Sequence, residues 1–153
     1  MMQDCIFCKI LKGEIISKII DENEFAIAIL DIQPASDGHI LIIPKKHYRN
    51  FSLTDPIYLD GMMRLAKNMT FVLEEVFPNV LGFNYLMNSN SGAGQVVMHT
   101  HMHIIPKQNN DRGFVFKAIK EEGDISDIDE IYKKIATKTQ KLKKSRLSKH
   151  YMV

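Results

Sequence analysis

The most informative segment of this chain is HTHMHIIP at residues 99–106. Its residue types, together with those just before it, predict a β-strand over residues 96–106. Side chains two positions apart in a strand point to the same face, so His99, His101 and His103 are expected side by side. A solvated sheet face normally mixes residue types, and three aligned histidines therefore indicate a chemical function for this strand.

Two kinds of chemistry compete for the three histidines. In a metal site, one ion would have to reach across roughly 13 Å between the outer α-carbons, whereas Zn–N bonds are about 2.0–2.1 Å long. In nucleophilic catalysis, the middle imidazole attacks as the neutral base while its neighbours bind the developing charge. An ordinary imidazole pKa of about 6.5 leaves it largely neutral in the cytosol. The nucleophilic interpretation is favoured, and a metal-dependent hydrolase is the weaker alternative.

The segments before the histidines predict further strands and one long helix. Alternating and β-branched residues predict strands over residues 18–21, 25–31, 39–44 and 82–88. Asp55 and Pro56 supply a helix cap and a first-turn proline, and the helix is expected to end at Phe77. Its expected core face consists of Leu59, Met62, Met63, Ala66, Met69, Leu73 and Val76. Because the strands cluster, the sequence predicts an α+β fold with a mainly antiparallel sheet.

A second helix is predicted to begin near Ser126, where Ser126 and Asp129 form a possible capping box. Its inward residues are expected to be Ile128, Ile131, Tyr132, Ile135 and Leu142. Residues 1–132 hold 12 basic and 18 acidic side chains, whereas residues 133–149 hold 8 basic and no acidic ones. This basic segment is expected to be a solvated helix face, and no nucleic-acid partner is expected.

Length and composition exclude several classes of protein. With 153 residues, 45% hydrophobic and 25% charged, the chain is expected to be an ordinary globular protein. It has no apolar run of the ~20 residues that span a bilayer, and residues 1–10 lack the layout of a secretory signal. These features predict a cytoplasmic protein without a membrane partner. In that compartment Cys5 and Cys8 are better interpreted as metal ligands or redox groups than as a disulfide.

The chain resembles the histidine triad (HIT) family, and it is most similar to the bacterial branch of nucleoside phosphoramidases. Beyond the motif at residues 99–105, the likeness covers residues 5–10, 31–34, 38–47 and 88–95, in the family's order. It implies a five-stranded antiparallel sheet with a central and a C-terminal helix, and a homodimer. Residues 1–125 would form the nucleotide-binding catalytic domain and residues 126–153 a C-terminal helix and basic tail.

The resemblance implies a nucleotide hydrolase or transferase that acts on the α-phosphate of purine nucleoside phosphoramidates. His101 would attack phosphorus and form a covalent nucleotidyl-histidine, which water then hydrolyses. Two alternatives stay open, the first with the same chemistry and the second from another class. One is a dinucleoside polyphosphate hydrolase with the same mechanism, and the other is a non-catalytic nucleotide-binding protein.

Particular residues take roles from the same resemblance. His39 and His103 would orient and neutralise the phosphate, and the His99 carbonyl would accept a hydrogen bond from the second ring nitrogen of His101. Asp31 would hold the ribose hydroxyls. The remaining nucleotide contacts would come from Ile32, Asn88, Gly94 and Gln95.

The resemblance to some bacterial members of the family implies a structural zinc site formed by Cys5, Cys8, His47 and His99. A Cys-x-x-Cys pair alone supplies two of the four ligands that such a site needs.

The chain departs from the family pattern at Val96, where a serine is usual, which removes a hydrogen-bonding group near the leaving group. Thr100 replaces an apolar residue and is expected to affect packing only, because it points to the opposite strand face.

Overall fold

The computed structural model of the chain describes residues 4–109, 113–115 and 127–147. The helices are α1 (Ile6–Leu11), α2 (Pro56–Val76) and α3 (Ile128–Leu147). The strands are β1 (Ile19–Glu22), β2 (Ala26–Leu30), β3 (Ile40–Pro44), β4 (Gly82–Leu86) and β5 (Met102–Lys107). Two compact units are present, Met1–Val115 and Phe116–Val153. The division into functional domains at residues 125 and 126 stays a prediction.

The five strands form one sheet in the order β1-β2-β3-β5-β4, and every neighbouring pair is antiparallel. The α+β class and the five-stranded antiparallel sheet are therefore confirmed. In the middle of the sheet, Ile40 pairs with Ile104 and Leu41 pairs with His103. This pairing places the loop before β3 next to the start of β5, where the histidines lie.

Both faces of the central strands are buried, because successive side chains point to opposite sides. One face packs under α2 in a core that includes Ala26, Ile42 and Ile104. The opposite face packs under α1, where Phe7 and Leu41 belong to a second core. The near-continuous apolar runs of β2 and β3 follow from this double burial.

Helix α2 begins as the sequence predicts. The Asp55 side chain accepts a hydrogen bond from the Ile57 N–H, and Pro56 occupies the first turn. Its core-facing residues are Met62, Leu65, Ala66, Met69 and Leu73. The expectation of burial is wrong for Met63 and Val76, which are exposed.

The strand predicted over residues 96–106 is shorter than expected, because β5 begins only at Met102. Before it, the His99 N–H bonds the Val97 carbonyl and the Thr100 N–H bonds the Tyr48 carbonyl. The backbone at this point is therefore engaged in a tight turn and a loop contact. As a consequence, His99 and His101 precede the strand and are not aligned with His103 by strand geometry alone.

Helix α3 is present, and Asp127 caps it by accepting from the N–H groups of Asp129 and Glu130. Ser126, the expected cap, lies outside the described residues. The apolar stripe of α3 consists of the expected residues Ile128, Ile131, Tyr132, Ile135 and Leu142, and the prediction that it is buried stays a prediction. Among the described residues, no helix has the length and apolar character needed to cross a membrane.

Candidate active site

The alternation of side chains along the strands brings several predicted site residues to one face of the sheet. Side chains two positions apart in a strand point to the same face. Asp31 therefore shares a face with Ile29, and His39 shares a face with Leu41, and this is the face covered by α1. The pairing of Leu41 with His103 adds His103 to the same face. These residues open onto a cavity of about 550 Å³, which is also lined by Ile32, Asn88, Gly94 and His101.

His101 is held by a hydrogen bond to the backbone carbonyl of His99, two residues earlier in the chain. Its Nδ1–H donates to the His99 carbonyl over 2.6 Å. Because a neutral imidazole carries one proton, Nε2 is left with a lone pair. The side chain lines the cavity, although only 6% of the residue's surface is exposed. Together these features provide an imidazole prepared for attack on a ligand in the cavity.

A chain of hydrogen bonds fixes the tautomers of the other two histidines. The Ala35 N–H donates to Nδ1 of His39 over 3.1 Å, so the ring proton of neutral His39 is on Nε2. That Nε2 lies 2.9 Å from Nδ1 of His103 and donates to it. The ring proton of His103 is then on Nε2, which becomes a hydrogen-bond donor. This arrangement suits the recognition of an anionic oxygen.

Burial keeps the histidines neutral. It lowers the pKa of His103 to about 4, helped by the neighbouring rings of His101 and His39 and opposed by Asp31. Burial likewise lowers the pKa of His101, against the hydrogen bond to His99 and the charge of Asp31, which raise it. The pKa of His39 is lowered by burial as well, again against Asp31. Neutral imidazole is the form that a nucleophile requires.

Asp31 lies closer to the histidines than the sequence indicates. Its Oδ2 is 3.5 Å from Nε2 of His39 and 3.9 Å from Nδ1 of His103. Its Oδ1 accepts a hydrogen bond from the Gln33 N–H. These contacts orient the carboxylate at the end of β2, next to the cavity. The contacts with His39 and His103 are tertiary, and no pattern within residues 31–34 could have indicated them.

The loop after β4 forms the opposite wall of the cavity. The amide of Asn88 donates to the carbonyl of Gly94, which adopts a left-handed conformation at φ 85°. Val96 is 89% exposed at the mouth of the cavity. Its side chain offers this wall no hydrogen-bonding group.

Gln95 has a different place from the one expected. It is only 3% exposed, and its Nε2 donates to the carbonyls of Arg49 and Val97. Its Oε1 accepts from the Asn90 N–H. All these bonds hold the loop together and leave neither amide hydrogen for a ligand, whereas the sequence suggested a contact with the phosphate. A direct role for Gln95 toward substrate stays a prediction.

The four predicted metal ligands come together next to this site. The Sγ of Cys5 is 3.4 Å from Nδ1 of His99, and the Sγ of Cys8 is 3.7 Å from the same nitrogen and 3.3 Å from Nδ1 of His47. All four ligand atoms lie within 4.8 Å of one another. In a tetrahedral zinc site, sulfur and nitrogen ligands would be separated by about 3.5 Å. The donor set and its spacing therefore fit zinc.

The environment of the cluster supports ligation. Nε2 of His99 donates to the Pro44 carbonyl over 3.0 Å, which leaves Nδ1 unprotonated and directed at the sulfurs. Burial lowers the pKa of His99 to about 4 and, reinforced by Cys5, raises the pKa of the Cys8 thiol to about 11. A zinc ion would have to displace the thiol protons, as metal binding to cysteine always requires.

Thr100 does more than pack against its neighbours. It is 1% exposed, and its hydroxyl lies 2.8 Å from the hydroxyl of Thr54 and 3.2 Å from the Tyr48 carbonyl. The expectation of a packing effect alone is wrong. The segment between His99 and His101 is fastened to the loop after β3 by buried polar contacts.

Comparisons with known proteins agree with this geometry. A family model described as HIT domain matches residues 12–110. An adenosine 5'-monophosphoramidase of Candida albicans is 36% identical, and the alignment covers 94% of this chain and 96% of the relative. The crystal structure of a HIT family protein from Bacillus anthracis matches with a TM-score of 0.80 at 31% identity, over 88% of this chain and 96% of the other. A zinc-bound histidine triad family protein from Mycobacterium smegmatis matches with a TM-score of 0.68 at 31% identity, over 81% and 86%.

Proposed function

Because this chain belongs to the HIT family, we propose that it hydrolyses purine nucleoside phosphoramidates at the α-phosphate through a covalent nucleotidyl-histidine. One observation carries the proposal. The Nδ1–H of His101 is donated to the His99 carbonyl, and the lone pair of Nε2 is therefore available at the cavity. A relative named as an adenosine 5'-monophosphoramidase supports the same class of hydrolase.

The reaction proceeds in two steps. In the first, Nε2 of His101 forms a bond to the α-phosphorus while the bond from phosphorus to the amine breaks, and the amine takes a proton from solvent. In the second, water attacks phosphorus and restores the free imidazole. Over both steps one water is consumed, its hydroxyl ending on phosphorus and its proton on the amine. Two easier steps thus replace one difficult displacement.

The surrounding groups stabilise charge during this exchange. The His99 carbonyl accepts the Nδ1–H as His101 becomes positively charged. The Nε2–H of His103, whose tautomer is set through His39, donates to a phosphate oxygen. Asp31 binds the ribose hydroxyls, for which its carboxylate is a suitable acceptor. Ile32, Asn88 and Gly94 contact other parts of the nucleotide from the cavity wall.

The direct test uses adenosine 5'-phosphoramidate. Wild-type protein should release AMP and show an adenylyl adduct by intact mass, which proteolysis should place on His101. His101→Ala, which removes the nucleophile, should give neither AMP nor adduct. Nucleotide binding without turnover would instead support a binding protein.

A panel of leaving groups on adenosine monophosphate then separates the enzymatic alternatives. Faster turnover of amines supports the phosphoramidase. Faster turnover of diadenosine polyphosphates supports the second enzyme.

We propose that Cys5, Cys8, His47 and His99 bind a structural zinc ion. The spacing of the four ligand atoms and the orientation of His99 support this. The ion would pin α1 and the segment before β5 together. Purified protein should contain one zinc per chain by elemental analysis, and Cys8→Ser should contain much less. Absence of zinc from protein prepared with zinc present would contradict the proposal.

We also propose a homodimer in the cytoplasm. Among the described strands, β4 lies at one edge of the sheet, and Met63, Phe71 and Tyr85 form an exposed apolar surface beside it. Light scattering after gel filtration should give twice the chain mass, and Phe71→Glu should reduce it to that of one chain.

The cytoplasmic location is supported by Cys5 and Cys8, which form no disulfide and therefore suit a reducing compartment. Cell fractionation tests that part.

A further inference from the structure

We propose that Phe7 is a positioning residue, which holds the imidazole of His101 in the orientation from which Nε2 attacks phosphorus. This inference rests on the proposed function, because it concerns the same chemical step. Phe7 is remote in sequence from the histidine segment and lies on α1. It carries no ionisable or hydrogen-bonding group, so it can act only through the shape and contact of its ring.

The contact between the two rings is direct. The centroid of the Phe7 ring lies 5.1 Å from that of His101, with an angle of 66° between the planes. The same phenyl ring lies 5.8 Å from His99 at 79°. Both pairs have the edge-to-face geometry that aromatic side chains favour. Phe7 therefore touches the proposed nucleophile and also the residue whose carbonyl holds it.

His101 needs such a contact because one hydrogen bond does not define a plane. The bond from Nδ1–H to the His99 carbonyl fixes one edge of the imidazole. The ring can still tilt about that edge, and the tilt moves Nε2 away from the line of attack. An in-line displacement is sensitive to the direction of the attacking lone pair. The edge of Phe7 resists the tilt together with the ring of His103, whose centroid also lies 5.1 Å from that of His101.

Phe7 is itself held rigidly, as a positioning residue must be. Only 6% of it is exposed, and it belongs to a packed core with Ile27, Ile29 and Leu41. In sequence it also lies between Cys5, which precedes α1, and Cys8 within α1, and the sulfurs of both contact His99. The core and the Cys–His cluster thus fix the helix from which the phenyl ring reaches His101.

The experiment is a single-turnover measurement with adenosine 5'-phosphoramidate, in which the adenylyl adduct is followed by rapid quench and intact mass. Phe7→Leu keeps an apolar side chain and removes the ring. We expect the maximal rate of adduct formation to fall about tenfold, within the range that a displacement of about 1 Å can cause. Phe7 also lines the cavity, so its replacement tests substrate binding at the same time. The positioning role requires the loss in maximal rate to exceed any rise in the half-saturating substrate concentration.

Ile27→Val is the matched control, because it removes packing from the same core without touching His101. It should form the adduct at nearly the wild-type rate. Circular dichroism checks that each variant folds, and Phe7→Met replaces Phe7→Leu if the latter does not. Equal rate losses in both core variants would overturn the inference, since they would indicate a general loosening of α1.

Two other results would also overturn it. One is an unchanged rate in the Phe7 variant. The other is a change in half-saturation alone, which would make Phe7 a substrate contact. If the wild-type protein forms neither adduct nor AMP, the proposed function itself fails. A normal wild-type reaction with an equally fast Phe7 variant removes only the role of Phe7.

Discussion

Replacing Thr100 by valine should destabilise the protein through one lost hydroxyl group. The Thr54 hydroxyl donates its single proton to the Asn50 carbonyl at 2.9 Å. The single proton of Thr100 is therefore shared between the Thr54 oxygen at 2.8 Å and the Tyr48 carbonyl at 3.2 Å, which also accepts from the Thr100 N–H. In Thr100→Val the Thr54 oxygen remains buried without that donor, at a cost of about 1–3 kcal/mol. We expect a loss of about 2 kcal/mol in the free energy of unfolding.

Urea denaturation followed by far-ultraviolet circular dichroism measures this loss. For a chain of this size, the same change should lower the melting temperature by about 4–8 °C. Thr54→Val and the double variant complete a cycle. Because both residues share one contact, the double variant should lose about 1 kcal/mol less than the sum of the single variants. Additive losses, or a Thr100→Val stability within about 0.5 kcal/mol of wild type, would refute the proposed hydrogen bond.

Three further outcomes are expected. Gly94→Ala should lower stability by about 1 kcal/mol in urea denaturation, since φ is +85° and the added carbon would lie 3.3 Å from the Asn88 amide; a neutral result would show that the loop relaxes freely. Burial lowers the pKa of His103 to about 4, so between pH 6.5 and 4 this residue takes up a proton in the unfolded chain but not in the folded one. On acidification over that range, His103 should by itself contribute a loss of stability of up to about 3 kcal/mol. His103→Asn should show a shallower decline, and an identical one would contradict this cause. Chelation should lower the melting temperature of zinc-loaded wild type but not that of Cys8→Ser, because stabilisation requires a bound ion; equal shifts would exclude this cluster as the binding site.

The strands and the central helix could be predicted because their signals are local. Alternation and β-branched residues located β2 and β3 within one or two residues of their observed ends. Asp55 and Pro56 marked the start of α2. These features depend on a few neighbouring residues, whose conformational preferences the rest of the fold does not override.

Other features depend on distant partners, and the sequence alone could not supply them. Helix α1 has only six residues, too few for a convincing helical period, and its packing on Ile27 and Leu41 makes it stable. The segment before Met102 has strand-like composition, yet bonds to Tyr48 and Val97 draw its backbone away from the sheet.

The candidate active site likewise combines features that the sequence could predict with features that it could not. The histidine segment and the Cys-x-x-Cys pair indicated which residues carry chemistry, and the resemblance supplied their expected roles. The resemblance also placed the second ring nitrogen of His101 against the His99 carbonyl, as the structure shows. The tautomers of His99 and His39 could not be predicted, because they depend on the Pro44 carbonyl and on the Ala35 N–H. The inward-turned amide of Gln95 is also a tertiary result.

His99 contributes to two neighbouring sites through different parts of the same residue. Its ring faces the thiols, whereas its backbone oxygen anchors His101. Substitution deletes a side chain but preserves the main-chain oxygen. Substitution of Cys5 or Cys8 in a homologue would therefore remove the proposed zinc site and leave the hydrogen bond to His101 intact, so the two features can be lost independently.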